Sequence, residues 1–194
     1  DVFRRLAPDF PELRLVLVPR HPHRFDEVAE LLDGEGVAWR RRSQLRPGDA
    51  APAPVLLVDT VGELAAWWGT ADVAFVGGSL GTRGGQNMIE PAAYGCAVSF
   101  GPNTSNFRDV VAMLLAADAA VVVADASSLY DFTRRCLADA AYRHELGCRA
   151  RQVVLSSAGA TARSLDALEQ LLAAPPAAAP STDATPSHAD RHAA

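Results

Sequence analysis

Along the chain, short apolar runs alternate with apolar positions at helical spacing, which predicts strands and helices in turn. Leu13 to Pro19 is an apolar run broken only by Arg14 and closed by proline, the pattern of a buried parallel strand. Phe25, Val28, Ala29 and Leu32 then recur at i, i+3, i+4 and i+7, one face of a helix ended by Gly34 and Gly36. Val37 to Ser43 reads as a short, more polar strand, and 47–54 as a loop rich in Pro, Ala and Gly. Val55 to Val58 is a third strand, after which Asp59-Thr60 offers a cap to a helix through Glu63, Leu64 and Trp67. A fourth strand, Val73 to Val76, leads into a glycine-rich loop and a helix from Asn87 to Tyr94 that Gly95 stops. Ala97 to Phe100 is a fifth strand. Phe107, Val110, Val111 and Leu114 mark the next helix, and Ala119 to Val123 is a sixth strand. Two further helices are expected, roughly Ser127 to Leu146 and Ala160 to Leu172.

Repeated strand–helix units with short loops predict an α/β fold: a doubly wound parallel sheet of about six strands. The expected domain is 1–172. The tail 173–194 is Ala, Pro, Ser, Thr and His, a composition that buries too little apolar surface to offset its ordering entropy, so it is expected to be disordered. The opening residues, Asp1 to Leu6, read as the middle of a helix, so the chain is expected to be a fragment with any membrane anchor upstream.

Composition narrows the function classes. With 49% hydrophobic and 21% charged residues the chain fits a globular protein, and a net charge of -5 argues against non-specific nucleic-acid binding. All 18 basic residues are arginine, a compositional bias alongside abundant alanine. Cys96, Cys136 and Cys148 are widely spaced and form no CxxC pair, and an odd count of this kind needs no disulfide. No apolar run of about 18 residues occurs, so no membrane-spanning segment is expected.

In doubly wound sheets ligands bind beyond the carboxyl ends of the strands, and three polar segments fall there. The first is Pro19-Arg20-His21-Pro22-His23-Arg24-Phe25. Arg20 offers a permanently charged, planar fork suited to phosphate, against the alternative of a solvated loop that caps a helix. His21 and His23 have no third ligand nearby, so no metal site is expected. The second is Asp59 to Leu64, where helix-end amides beside Gly62 suit the edge of a base or sugar; the structural alternative is a capping box of Thr60 with Glu63. Trp67 and Trp68 read as helix-packing residues. The third runs from Gly77 to Pro91, with five glycines between Gly77 and Gly85. Glycine permits close backbone approach and positive φ, and the following helix start suits phosphate. Glu90 is placed to accept hydrogen bonds from two ribose hydroxyls, on the same face as Asn87. The segment matches neither the Walker pattern nor GxGxxG.

Six motifs occur in order: Pro19 to Phe25, Arg41-Arg42-Ser43, Asp59 to Leu64, Ala71 to Leu80, Gly84-Gly85-Gln86-Asn87-Met88-Ile89-Glu90-Pro91, and Phe100-Gly101-Pro102 with Asn106-Phe107. The series resembles the C-terminal domain of 3-deoxy-D-manno-octulosonic acid (Kdo) transferases. That resemblance implies a GT-B glycosyltransferase using CMP-Kdo, with a lipid A precursor as acceptor in lipopolysaccharide biosynthesis at the cytoplasmic face of the bacterial inner membrane. CMP contacts carry over to Pro19 and Arg20, to Val61, Gly62 and Glu63, and to Asn87, Met88, Ile89 and Glu90, with Arg20 at the phosphate and Glu90 at the ribose. The implied reaction is an inverting displacement at the anomeric carbon with CMP leaving, and it calls for no metal and no cofactor.

The resemblance has three departures. Gln86 stands where the family usually has histidine, which removes a titratable group near the phosphate. The family's general base is a glutamate of an N-terminal domain, so no catalytic residue is expected in this chain, and acceptor and membrane contacts belong to that half. The domain's own first strand is expected just before Asp1, which would leave a sheet edge exposed. Two other readings stay open on the residues: another GT-B nucleotide-sugar transferase or epimerase, and a non-catalytic nucleotide-binding module.

Overall fold

The computed structural model describes residues 1–46, 48, 53–157, 159 and 168–170. Most of the 47–54 loop and of the helix expected over 160–172 lies outside them, as does the whole tail 173–194. Residues Asp1–Ser157 form one compact unit and Ala158–Ala194 another, in which 168–170 are helical.

Six parallel strands are present, as expected. They are hydrogen-bonded as two three-stranded sheets rather than as a single ladder. In the first, β3 (Val55–Leu57) lies between β1 (Leu15–Leu17) and β2 (Trp39–Arg41). In the second, β5 (Ala97–Phe100) lies between β4 (Val73–Val76) and β6 (Ala120–Val122). The two central strands are buried along their whole length, and the one polar residue they bury, Ser99, donates its hydroxyl to the Ala74 carbonyl at 3.1 Å; their outer neighbours are only partly buried. Each central strand pairs on both sides, and no strand among the described residues joins one sheet to the other.

The second sheet is covered on both faces, and the period of two along each strand decides which residue goes where. Ala74, Val76, Val98, Phe100 and Ala120 share one face with Met88, Ala92, Leu114 and Ala150. Ala92 belongs to α4 (Ile89–Tyr94), Leu114 to α5 (Arg108–Ala116) and Ala150 to α7 (Ala140–Ser157). Val73, Phe75, Ala97, Val121 and Val123 turn the other way, onto Phe132 and Cys136 of α6 (Ala126–Ala138) and Leu146 of α7. In the first sheet, Val55 and Leu57 meet Ala29 and Leu32 of α2 (Phe25–Gly34), two of the four positions that marked this helix in the sequence.

Three local features differ from the expectations. The helix expected over 127–146 is two helices, because Asp139 leaves α6 and its carboxylate accepts the Tyr142 amide at 2.9 Å to begin α7. The start of α6 carries a capping box between Asp125 and Ser128. Finally, α7 contains a glycine in mid-helix, which ordinarily costs about 1 kcal/mol relative to alanine. The packing accounts for it: a Cβ on Gly147 would overlap the carbonyl oxygen of Gly95, the left-handed cap (φ 80°) that ends α4.

Candidate functional site

The loops that follow β1, β3 and β4 leave the carboxyl ends of parallel strands, and side-chain contacts knit them together. After β1, Arg20 is exposed and makes no hydrogen bond or ion pair among the described residues. His21 and His23 stack with ring centroids 5.4 Å apart. Arg24 turns away to grip Glu27 at 2.6 and 2.9 Å. That hydrogen bond holds the Glu27 carboxyl below its ordinary range against the opposing effect of burial, and the neighbouring charge of Arg24 adds to the lowering.

After β3, Asp59 does not cap a helix. Its carboxylate accepts from the Ser43 hydroxyl at 2.6 Å and the Ser43 amide at 2.9 Å, and it lies 3.5 Å from Arg41. Burial raises its pKa, but the bonds from Ser43 and Arg41 outweigh burial and leave it below the usual carboxylate value. The helix that follows, α3 (Leu64–Trp68), begins at Glu63 with no side-chain cap. The Thr60 hydroxyl finds no hydrogen-bond partner among the described residues, so the capping box of Thr60 with Glu63 is not formed. Glu63 instead pairs with Arg42 at 3.0 Å. Between these anchors Val61 stands 78% exposed and Gly62 takes φ 90° with open space where a Cβ would lie, so this turn is free to meet a ligand. Arg41, Arg42 and Ser43, at the end of β2, thus serve as the clamp of this turn.

After β4, the glycine-rich loop is held from beneath by the segment that leaves β5. Buried Ser79 donates its hydroxyl to the Val76 carbonyl at 2.6 Å and accepts the Gly101 amide at 2.8 Å. Asn106 donates its side-chain amide to the Arg83 carbonyl at 2.9 Å, and its backbone amide to the Gly84 carbonyl at 3.0 Å. Gly84 and Gly85 both take positive φ, 79° and 81°; a Cβ at Gly84 would come within 2.8 Å of the Asn106 side chain. The glycines therefore do two things: they permit the left-handed turn, and they let two loops lie in contact. Arg83 and Gln86 flank Gly78, with the Gln86 Cγ 3.6 Å and the Arg83 Cβ 3.7 Å from where a Cβ would sit.

The helix expected from Asn87 begins at Ile89 and is six residues long. Asn87 precedes it and accepts the Ile89 amide on Oδ1 at 3.0 Å, so one of the helix-end N–H groups is already satisfied. Met88 is fully buried, whereas Ile89 is 39% exposed. Glu90 accepts from Asn87 Nδ2 at 3.1 Å and from the indole Nε1 of Trp68 at 3.3 Å. This last bond ties the α3 turn to the glycine-rich segment. Of the residues expected at the site, Arg20, Val61, Gly62, Asn87, Ile89 and Glu90 offer exposed or half-exposed groups. Pro19 is half-buried, Glu63 is engaged by Arg42, and Met88 faces the core. Reading the sequence overlooked Trp68 as a polar partner, because its spacing marks it only as a packing residue.

No protein-family model matches the chain. It is 45% identical over 165 residues to the 3-deoxy-D-manno-octulosonic acid transferase of Bordetella pertussis, covering 84% of this chain and 38% of that relative. It is 38% identical over 171 residues to the transferase of the same name from Haemophilus influenzae, covering 87% and 40%. Among solved structures, the C-terminal CMP-Kdo binding domain of WaaA from Acinetobacter baumannii superposes with a TM-score of 0.72 at 33% identity, over 79% of each chain. The chain spans 38% and 40% of the length of the two transferases it matches.

Proposed function

The chain belongs to the 3-deoxy-D-manno-octulosonic acid transferase family, and from that membership we propose that it is the donor-binding part of a GT-B glycosyltransferase that moves Kdo from CMP-Kdo to a lipid A precursor. The observation that carries this reading is the linkage of the segments along the carboxyl ends of parallel strands, through Trp68 to Glu90 and through Arg41, which pairs with Asp26 at 2.7 Å and Asp59 at 3.5 Å. The guanidinium of Arg20, unpaired among the described residues, suits the donor phosphate. The exposed turn at Val61 and Gly62 suits the base, reached by backbone groups that Arg42 and Asp59 hold in place. The half-exposed carboxylate of Glu90 suits the ribose diol, with Asn87 beside it. Backbone groups at Pro19, Glu63 and Ile89 complete the contact set, and Met88, buried in the core, anchors the chain between Asn87 and Ile89.

Within this reading the chain's own residues bind and orient the nucleotide and stabilise the negative charge that develops on CMP as it leaves. One well-placed donor to such a charge is worth about 3 kcal/mol. No catalytic base is assigned to residues 1–172, and acceptor binding at the cytoplasmic face of the inner membrane is assigned to the rest of the protein. No helix among the described residues is long and apolar enough to cross a membrane.

Calorimetry with CMP, UMP and GMP tests the proposal. CMP binding is expected, with the other two nucleotides silent at the same concentration. Heats that do not distinguish CMP from GMP, or no heat with CMP, contradict the donor assignment.

A further inference from the structure

We infer that Trp68 is a positioning residue for Glu90, setting the carboxylate so that its two free acceptor directions match a vicinal ribose diol. The inference rests on the proposed role of Glu90 and goes beyond it by naming what gives that carboxylate its orientation. A carboxylate offers about four lone-pair directions on its two oxygens. In this chain one direction on each oxygen is already filled: Oε1 accepts from Asn87 Nδ2 at 3.1 Å and Oε2 accepts from Trp68 Nε1 at 3.3 Å. One direction on each oxygen remains, the number needed to accept two neighbouring hydroxyls.

Both donors are themselves fixed. Asn87 has its Oδ1 committed to the Ile89 amide, which leaves Nδ2 to point at Glu90. The Trp68 ring packs on the cluster that contains Met88, Ala92 and Cys96, and the thiol of Cys96 donates to its carbonyl at 3.5 Å. The indole therefore has little rotational freedom, and its N–H reaches the carboxylate from a packed platform. Among the described residues no cation pairs with Glu90, so these two neutral donors are what orient it.

The test compares the affinities of CMP and of 2′,3′-dideoxy-CMP for the whole chain and three variants. Glu90→Ala reports the diol contact. Trp68→Phe removes the N–H and keeps an aromatic ring, and Trp68→Tyr restores a donor. Trp68→Phe is expected to weaken CMP by about fivefold or more, as the loss of one hydrogen bond to a charged group implies, and to leave the dideoxy ligand unchanged. Trp68→Tyr is expected to recover most of the loss. Equal loss for both ligands, or no loss for CMP, overturns the inference while leaving the Glu90 reading intact. If Glu90→Ala fails to separate the two ligands, the diol reading falls and the role of Trp68 falls with it.

The unmodified chain gives a second readout that needs no tolerance of substitution. One of its indole N–H resonances is expected to shift with CMP and not with dideoxy-CMP. Identical indole responses to both ligands overturn the inference.

Discussion

Arg20 and Asp59 stand at the carboxyl ends of neighbouring strands of the first sheet and face opposite demands. Arg20 has no partner among the described residues, so its charge costs little to present and is available to an anion. Arg20→Ala is expected to weaken CMP by about 10- to 100-fold, the loss of a charge-assisted hydrogen bond of about 1.5–3 kcal/mol. Cytidine, which lacks the phosphate, should bind the variant and the parent alike; a matching loss for cytidine would move Arg20 off the phosphate. Asp59 is the reverse case, a carboxylate 7% exposed and fully committed to Ser43 and Arg41. Folding lowers its pKa below the usual 3.8, so the stability it contributes is present above that value and is lost as pH falls through the lower, folded value. Asp59→Ala is expected to cost about 2 kcal/mol at neutral pH. Urea titrations should show this deficit shrinking as both proteins are acidified below pH 3.8. A deficit unchanged by acid would mean that packing, not charge, is what the residue supplies.

Gly147 carries the argument to the elements. Alanine there gains about 1 kcal/mol of helix propensity, but its Cβ meets backbone of the α4 cap, and overpacking against atoms that cannot rotate away costs about 1–3 kcal/mol or more. Gly147→Ala is therefore expected to be destabilised on balance in urea; a neutral or stabilised variant would show that α7 can slide from α4. A helix period shows that this position lies inside a helix, but only the fold shows that a second backbone passes there. The same limit explains the other differences between sequence and structure. Strands β3, β4 and β5 were legible because each is a short, almost wholly apolar run, interrupted only by Ser99 in β5. The break between α6 and α7 was harder to see, since no glycine or proline marks it and the local signal is Asp139 three residues before Tyr142. Asp59-Thr60 looks like a cap because local chemistry favours one. The fold gives Asp59 a non-local partner instead, and Ser43 is not visible from sequence neighbours. The site loops were legible as motifs; their mutual contacts, Trp68 with Glu90 and Asn106 with Arg83, span 22 and 23 positions and were not.

For the molecule as a whole, the doubly covered second sheet separates two packing clusters, and each contains one cysteine of unusual chemistry. Burial pushes the Cys96 thiol up to about 11, and burial does the same for Cys136, also to about 11. Cys96 lies on the face that carries Trp68, Cys136 on the opposite face under α6, and Cys148 is exposed. At neutral pH the first two are protonated and shielded, so an alkylating reagent reaches them only when the structure around them opens. Cys148 should be modified at once and the other two slowly, at rates that report each face of the sheet separately. Saturating CMP is expected to slow Cys96 more than Cys136, since the nucleotide would hold closed the face next to Glu90. Equal slowing would mean that both faces open together as one unit. The residues that insulate the core from water thereby give it a pair of internal clocks, readable by mass spectrometry without adding any label by mutation.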